Sequence, residues 1–426
     1  MREVITMKQE DRVYLCIDLK SFYASVECVE RGLDPFEINL VVADPDRGGG
    51  AITLAVTPAI KKLGVPSRGR IYEIPEGIEY IIARPRMKLY MEYSAEIYSI
   101  FLKYVAPEDI HVYSIDESFL DVTPYLHYYD LSVKQLAKTI IDDVFNQTGI
   151  TATVGIGTNL FLTKVALDIT AKHSPDNMGY LDKDLFKQLL WHHTPITDFW
   201  MIGPGTARRL EKLGIYDLYG ITRFPEGILY KEFGVNAEYL IDHAWGREPV
   251  LISDIKAYKP TSNSISNSQI LFEDYDANDA YLILKEMVDS NVLDLTEKHI
   301  VTDHISLFIG YSKDKRKPSR GSRKITNRTN SYRILVEEFR LLYTKIVDPK
   351  FSIRHIGISF GNVRDEIYEQ FDLFVNQEDI EQERKLQQTL VSIRNKYGKN
   401  SVLKGMNFLE KGTARYRNTT IGGHKA

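Results

Sequence analysis

The residues best placed to do chemistry lie in Ser114-Ile115-Asp116-Glu117-Ser118-Phe119-Leu120-Asp121. Apolar and polar residues alternate on both sides, with Ile110 and Val112 before and Phe119 to Val122 after. The pattern predicts a β-hairpin with the adjacent carboxylates Asp116 and Glu117 at its tip. Successive residues of a regular strand point to opposite faces, so only a turn lets the two converge. Neighbouring carboxylates repel, and a divalent cation is one way to relieve the repulsion. A third acid sharpens the idea. Val13-Tyr14-Leu15-Cys16-Ile17-Asp18 is an apolar run, read as a buried strand with Asp18 at its end. Three carboxylates at strand ends suit two hard cations such as Mg²⁺, which prefer oxygen ligands. Two metals roughly 4 Å apart clamp the attacking and leaving oxygens of a phosphoryl transfer. Taken alone, Asp-Glu would read as a solvated turn, and its context decides otherwise.

That context is Asp18-Leu19-Lys20-Ser21-Phe22-Tyr23-Ala24-Ser25-Val26-Glu27, with Ser114-Ile115-Asp116-Glu117 later in the chain. Together they resemble the Y-family of translesion DNA polymerases, most nearly its UmuC-type branch. The resemblance implies that Asp18, Asp116 and Glu117 hold two Mg²⁺, with the Leu19 carbonyl as a further ligand. It implies that Tyr23, beside Phe22, packs under the incoming sugar as a steric gate against a 2′-hydroxyl. A core tyrosine is the alternative on the residues alone. Lys172, in Thr170-Ala171-Lys172-His173-Ser174-Pro175, matches a family lysine that reaches the triphosphate. The sequence departs from a common family pattern where Tyr and Arg, spaced three apart, hold the triphosphate: here stand Pro58 and Lys61. Lys61 binds phosphate as a point charge without arginine's bidentate fork, and Pro58 has no phenol.

The elements that must position these groups follow from the rest of the chain. The 426 residues, at about 150 per domain, give roughly three domains. A hydrophobic fraction of 43% is enough for ordinary cores. No run approaches the ~18 apolar residues of a membrane span, and Met1 to Arg12 lacks a signal-peptide core. Cys16 and Cys28 read as reduced thiols, which fits a cytoplasmic protein. The net charge of −4 gives no hint of nucleic acid, but its distribution does. Between Lys313 and Arg333 stand Lys313, Lys315, Arg316, Lys317, Arg320, Arg323, Lys324, Arg328 and Arg333, against the one acid Asp314. Such a stretch suits a polyphosphate backbone, with a solvated loop as the plain alternative.

Phe22 to Arg31 has a helical pattern ended by Gly32. Asn39 to Ala43 and Ala51 to Val56 read as short strands around a glycine-rich turn, and Thr57 as the cap of a helix with Pro58 in its first turn. Lys88 to Tyr104 and Ser132 to Gln147 read as helices, the second with Leu136, Ile140 and Val144 on one face. Thr151 to Gly157 reads as a strand followed by a helix from Asn159, completing a sheet with both long helices on one face. Gly203-Pro204-Gly205 before a helix, with Arg208 and Arg209 and then Leu213-Gly214-Ile215, reads as a helix-hairpin-helix whose glycines admit a phosphate. Leu251 to Asn267 is rich in Ser, Asn and Thr and reads as a tether. A strand, a helix from Ala277 to Lys298, a strand from His304 to Tyr311, the basic segment, a helix from Tyr332 to Val347 and a strand from Ile353 to Phe360 follow. Gln370-Phe371-Asp372-Leu373-Phe374 resembles the bacterial sliding-clamp binding pentapeptide, in which few anchors carry the contact. The tail from Asn376 begins with a charged helix and ends in a polar Gly422-Gly423-His424-Lys425-Ala426, read as mobile and without chemistry.

The expected fold is α+β, a right-hand polymerase with palm, small fingers, helix-hairpin-helix thumb and β-α-β-β-α-β little-finger domain. The expected boundaries are 12–23 and 86–180 for the palm, 24–85 for the fingers, 181–250 for the thumb, 251–263 for a linker, 264–363 for the little finger and 364–426 for the clamp motif and tail. The resemblance implies template-dependent nucleotidyl transfer from dNTPs to a primer end in translesion synthesis. Primer-template DNA, the sliding clamp and damage-response accessory proteins are the expected partners, with no membrane. The DNA contacts are expected at Gly203, Gly205, Arg316, Lys317, Arg320, Arg323, Lys324 and Arg328. The rivals are a catalytically weak, polymerase-like binder of primer ends and a nucleotidyl cyclase. The intact carboxylate triad argues against the first, and the thumb-like hairpin and the basic last domain against the second.

Overall fold

A computed structural model describes residues 12–260, 263–312, 316–368 and 377–426. The chain forms two compact units, Met1–Tyr258 and Lys259–Ala426.

In the first unit, β1 (Tyr14–Leu19) runs into α1 (Phe22–Val29), and Gly32 ends that turn at φ 65°. A small sheet follows from β2 (Leu40–Val42), β3 (Ala55–Val56), α2 (Pro58–Lys62) and β4 (Ile81–Ala83), in the order β3-β2-β4. The strand expected over Ala51–Val56 shrinks to its last two residues, because Ile52 makes only an isolated bridge to Arg70. Thr57 does not cap α2 through its side chain. Its hydroxyl instead accepts from the Leu40 amide and donates to the Ile38 carbonyl, tying the helix to β2.

The chain then builds the main sheet. After α3 (Met87–Phe101) come β5 (Ile110–Val112), β6 (Glu117–Asp121), α4 (Thr123–Tyr129), α5 (Val133–Thr148), β7 (Ala152–Gly157), α6 (Leu160–Val165) and β8 (Met178–Leu181). The strand order is β5-β6-β1-β7-β8. The capping box of Ser132 with Gln135 starts α5, and Leu136, Ile140 and Val144 are buried. Helices α3 and α5 cover one face, where Leu15, Ile17 and Leu19 join Tyr90 and Ile97 in a core. The two long helices thus share one face, as expected, and the other face has its own cover: Tyr14, Cys16 and Phe119 pack with Leu160 and Leu167 of the α6 segment. The edge strand β8, parallel to β7, had no signature of its own in the sequence. Glycines let α6 lie directly on the sheet. A Cβ at Gly155 would stand 2.2 Å from the Thr163 carbonyl oxygen, and one at Gly179 would stand 2.1 Å from Thr170 Oγ1. From α6 the chain continues through a π-helical turn, Ala166–Thr170, and a 3₁₀ turn, Ala171–His173.

A helical cluster completes the unit: α7 (Lys183–Leu190), α8 (Pro204–Lys212), α9 (Leu218–Arg223), α10 (Glu226–Phe233) and α11 (Ala237–Ala244) close around Phe186, Phe199, Leu210 and Leu240. The stretch read as a tether, Leu251 to Asn267, holds α12 (Ile252–Ala257) and the start of a strand. Ile252 is buried with Tyr14, Cys16 and Phe119, and Lys256 Nζ donates to the Pro107 carbonyl, so this helix belongs to the main sheet.

The second unit comprises β9 (Ile265–Tyr275), α13 (Ala277–Glu297), β10 (Ile300–Tyr311), β11 (Ser319–Thr329), α14 (Tyr332–Ile346) and β12 (Ile353–Gly361). The sheet order is β11-β10-β12-β9, with every pairing antiparallel. Helices α13 and α14 cover one face over Leu271, Ile283, Leu307, Phe339 and Phe360. The short β13 (Arg364–Asp365) pairs with the start of β10. The basic stretch is a strand, not a loop: Ser319–Thr329 pairs along β10.

The charged helix expected at the start of the tail is present, and the end read as mobile, Gly422 to Ala426, takes part in a short hairpin. Helix α15 (Gln377–Tyr397) lies against α13, followed by α16 (Ala414–Arg417) and a hairpin of β14 (Thr420–Ile421) and β15 (His424–Lys425). The buried Glu286 of α13 accepts from Asn407 Nδ2 at 3.0 Å, the Thr413 amide at 2.8 Å and the Ala414 amide at 3.0 Å. A buried carboxylate needs such donors, and the tail supplies them. No described helix is long and apolar enough to cross a membrane.

Candidate active site

Strand pairing brings the sequence-predicted acids together. Asp18 of β1 lies directly opposite Glu117 of β6 in antiparallel register, so both side chains leave the same face, the one covered by α6. Asp116 sits in the turn between β5 and β6, where its carbonyl accepts from the Leu19 amide at 2.9 Å. Ser114 Oγ donates to Asp116 Oδ1 at 2.6 Å and fixes that carboxylate. The Asp18 carboxyl is pushed up to about 7, first by burial and then by the charges of Asp116 and Glu117. Lys164 and Lys172 offset part of this. Like charges held together in a half-buried place are the situation that a bound cation relieves, and the donors are all oxygen, which suits Mg²⁺. Among the described residues no group of three or more His, Cys, Asp or Glu side chains stands arranged to hold a metal ion. Protein groups hold Glu117 meanwhile: Cys16 Sγ lies 3.2 Å from its Oε1 and Lys164 Nζ 2.9 Å from its Oε2.

Beside the acids stand lysines. Lys61 Nζ donates to Ser21 Oγ at 2.8 Å, and Lys20 Nζ donates to Asn177 Oδ1. The ammonium of Lys61 is shifted down, first by burial, and feels Asp18 on one side and Lys172 and Lys20 on the other. Lys172 is exposed, with Asp168 3.7 Å away. Ser21, at φ 48°, starts α1 without a side-chain cap, which leaves the first amides of α1 beside these lysines. Phe22 is buried in the core, whereas Tyr23 is half-buried and stacks on Tyr90 at 4.6 Å. Burial and the nearby Asp116 raise the Tyr23 phenol. The ring behind Tyr23 is itself fixed: Tyr90 Oη donates to Glu27 Oε1 at 2.7 Å, and Arg86 grips both Glu27 oxygens at 2.9 Å.

Sequence reasoning missed Lys20, Lys164 and Asp168. Lys164 and Asp168 are spaced i, i+4 on the segment that the glycines seat against the sheet, a signal visible only once that helix is known to face the acids.

At the helical hairpin, Gly203 is the N-cap residue of α8 and Gly205 lies in its first turn. Space around both is open, and Gly203 is extended at φ −82°, so neither close packing nor backbone strain requires a glycine at Gly203, and no close packing requires one at Gly205. Arg209 is engaged with Glu232 and lies over the Phe233 ring.

In the second unit, β11 sorts the basic residues by face. Phe308 pairs with Arg320, Ser306 with Ser322 and His304 with Lys324, on the face opposite Ile305, Leu307 and Ile309 of the core. That uncovered face carries a shallow depression of about 900 Å³, lined among others by Ser266, Ser268, Phe308, Arg320 and His355. Other basic residues have acid partners: Arg316 with Asp348, Arg323 with Glu338, and Arg328 with Asp303 at 3.1 Å. Lys317 is exposed. The pentapeptide Gln370, Phe371, Asp372, Leu373 and Phe374 lies outside the described residues, as do Lys313 and Lys315.

Comparison with known proteins bears on these arrangements. The impB/mucB/samB family matches residues 17–168, and the C-terminal domain of that family matches residues 262–373. The chain is 33% identical, over 97% of both sequences, to the putative UV-damage repair protein UvrX of Bacillus subtilis (strain 168). It is 28% identical to DNA polymerase IV 2 of the same organism, over 97% of this chain and 99% of that one. Among solved structures, the Y-family DNA polymerase chimera Dbh-Dpo4(243-245)-Dbh matches with a TM-score of 0.63 at 22% identity, over 83% of this chain and 99% of that one. At that identity the likeness shows the fold, an α+β architecture with a C-terminal little-finger domain.

Proposed function

Because the chain belongs to the impB/mucB/samB family, the Y-family DNA polymerases, we propose that it is a template-dependent DNA polymerase that works past damaged template. The observation that carries this reading is the register of β1 on β6, which sets Asp18 across from Glu117 and beside the Asp116 turn. Two Mg²⁺ held by Asp18, Asp116, Glu117 and the Leu19 carbonyl would supply the Lewis acidity that activates a primer 3′-hydroxyl and neutralises the leaving pyrophosphate. The protein's own groups do the rest. Lys20, Lys61 and Lys172 share the triphosphate charge, in place of the tyrosine and arginine that Pro58 and Lys61 replace. Tyr23, backed by Tyr90, leaves no room for a 2′-hydroxyl.

Duplex DNA lies along the uncovered sheet face of the second unit, with Arg320 and Lys324 on phosphates and the serines as further donors. Gly203 and Gly205 admit a phosphate to the N-terminus of α8. Gln370 to Phe374 recruits a bacterial sliding clamp, damage-response proteins assist, and the work is done in the cytoplasm. The departure at Pro58 and Lys61 supports a place in the UmuC-type branch, while the relatives named above are a UV-damage repair protein and a DNA polymerase IV.

The second reading, a polymerase-like binder of primer ends with weak catalysis, draws on two observations: Pro58 and the prior engagement of both Glu117 oxygens. Primer extension on undamaged and abasic templates, with dNTPs, Mg²⁺ and clamp, separates the two. Extension on both templates is expected. Retained primer-template binding without extension on either would favour the binder.

A further inference from the structure

The region between the acids and the lysines contains a buried ammonium that the proposed chemistry does not use. Lys164 is buried, with 9% of its side chain exposed. Its Nζ lies 2.9 Å from Glu117 Oε2 and 3.1 Å from Asp168 Oδ1. Asp168 in turn stands 3.7 Å from Lys172. Charges therefore alternate along a row, Glu117, Lys164, Asp168, Lys172, running from the acid site to the triphosphate side. The row is built by spacing: residues 164, 168 and 172 lie on one continuous helical segment, whose close seat depends on Gly155 and Gly179.

Packing alone does not require this lysine. Phe161, Leu162, Val165 and Ala166 already anchor the segment in the apolar core. A buried ammonium is costly unless compensated, and an apolar residue of similar length would fill the same space. Its position is explained by Glu117, which it touches, and Asp18, which feels its charge, two acids that mutual repulsion would otherwise splay apart. We propose that Lys164 is the resident counter-charge of the acid site: it positions Glu117 and, by competing for the same oxygen, sets how tightly a divalent cation is held. This rests on the polymerase reading and its metal assignment. Lys164 is proposed as a positioning residue, acting through Glu117 and Asp168, the carboxylates it contacts.

The consequence has an unusual sign. Removing the ammonium makes Glu117 a stronger ligand, so cation affinity rises, while the lost aim of Glu117 slows chemistry. Mn²⁺ binding is measured by electron paramagnetic resonance on the full-length protein with a dideoxy-terminated primer-template and the next dNTP. Lys164→Met is expected to bind Mn²⁺ about threefold or more tightly. With an extendable primer, kcat falls roughly tenfold and the KM for dNTP stays within about twofold. Lys164→Arg restores both. Should Lys164→Met fail to fold, Asp168→Asn gives an opposite reading: it frees Lys164 to hold Glu117 alone and weakens Mn²⁺ binding. Unchanged or weaker Mn²⁺ affinity in Lys164→Met, or unchanged affinity in Asp168→Asn, overturns the inference and leaves the polymerase intact. A wild type with no Mn²⁺ site that Asp116→Asn abolishes overturns the metal assignment, and this inference with it.

Discussion

The acid site of the first unit and the basic strand of the second handle charge in opposite ways. In the first, backbone register forces Asp18 and Glu117 together against their repulsion, in a place where burial deepens the conflict. In the second, a block of like charge is pulled apart by the two-residue period of a strand. Arg320 and Lys324 go to the uncovered face, and Arg323 goes to the helix side, where Glu338 meets it. A site that concentrates charge stores electrostatic work for a ligand that can release it. A surface that spreads charge offers a broad, salt-sensitive grip. The first arrangement suits chemistry and the second suits holding a polyanion.

The comparison breaks most easily at the acids. Glu117→Gln keeps the shape and removes the charge. It should cut the single-turnover rate of extension by about a thousandfold or more while primer-template affinity changes by less than about twofold. A parallel loss of binding would mean that the acid site also carries the grip.

How far this contrast is legible in the sequence differs between the two regions. The hairpin tip and the Asp18 strand are local patterns, and antiparallel pairing of neighbouring strands turns them directly into a site. The second unit's β-α-β-β-α-β order is equally plain from periodicity. What the sequence hides is long-range. Lys164 becomes part of the site only because Gly155 and Gly179 let a helix touch the sheet. Helix α12 sits inside a stretch whose composition reads as a tether, and one buried residue, Ile252, docks it. The tail reads as polar because its partners for the buried Glu286 are amides and an asparagine, which carry no hydrophobic signature. Nor could charge counting foresee that Arg316, Arg323 and Arg328 are matched by Asp348, Glu338 and Asp303.

The second-largest effect should come from the uncovered face. Replacing Arg320 and Lys324 together by Ala should weaken duplex binding roughly tenfold at moderate salt and reduce the slope of log affinity against log salt by about 2. Fluorescence anisotropy across a salt series reads both. Arg323→Ala sharpens the contrast from the other side. Its guanidinium is engaged with Glu338, so duplex affinity should move by less than about twofold. An effect as large as that of Arg320 would mean that the faces are not sorted as β11 implies.

The smallest effect concerns the support behind Tyr23. Burial works to raise the Glu27 carboxyl, but hydrogen bonds from Arg86, Tyr90 and Arg31 outweigh it and hold the group below the ordinary glutamate range. A carboxyl lowered in the folded state contributes stability that is whole above its unfolded value, about 4.5, and is lost as pH falls through the folded value. Thermal unfolding of the wild type and Glu27→Gln should therefore differ most near neutral pH, with the gap narrowing as pH falls below about 4.5. A gap independent of pH would show that Glu27 acts by shape alone.

The account rests on one division of labour, in which the acids do the chemistry and other surfaces hold the DNA. Asp116→Asn tests it in a single preparation by measuring primer extension with Mg²⁺ and dNTPs alongside primer-template affinity. The account predicts extension by the wild type, none by the variant, and the same affinity for both. Extension by Asp116→Asn at the wild-type rate would contradict it.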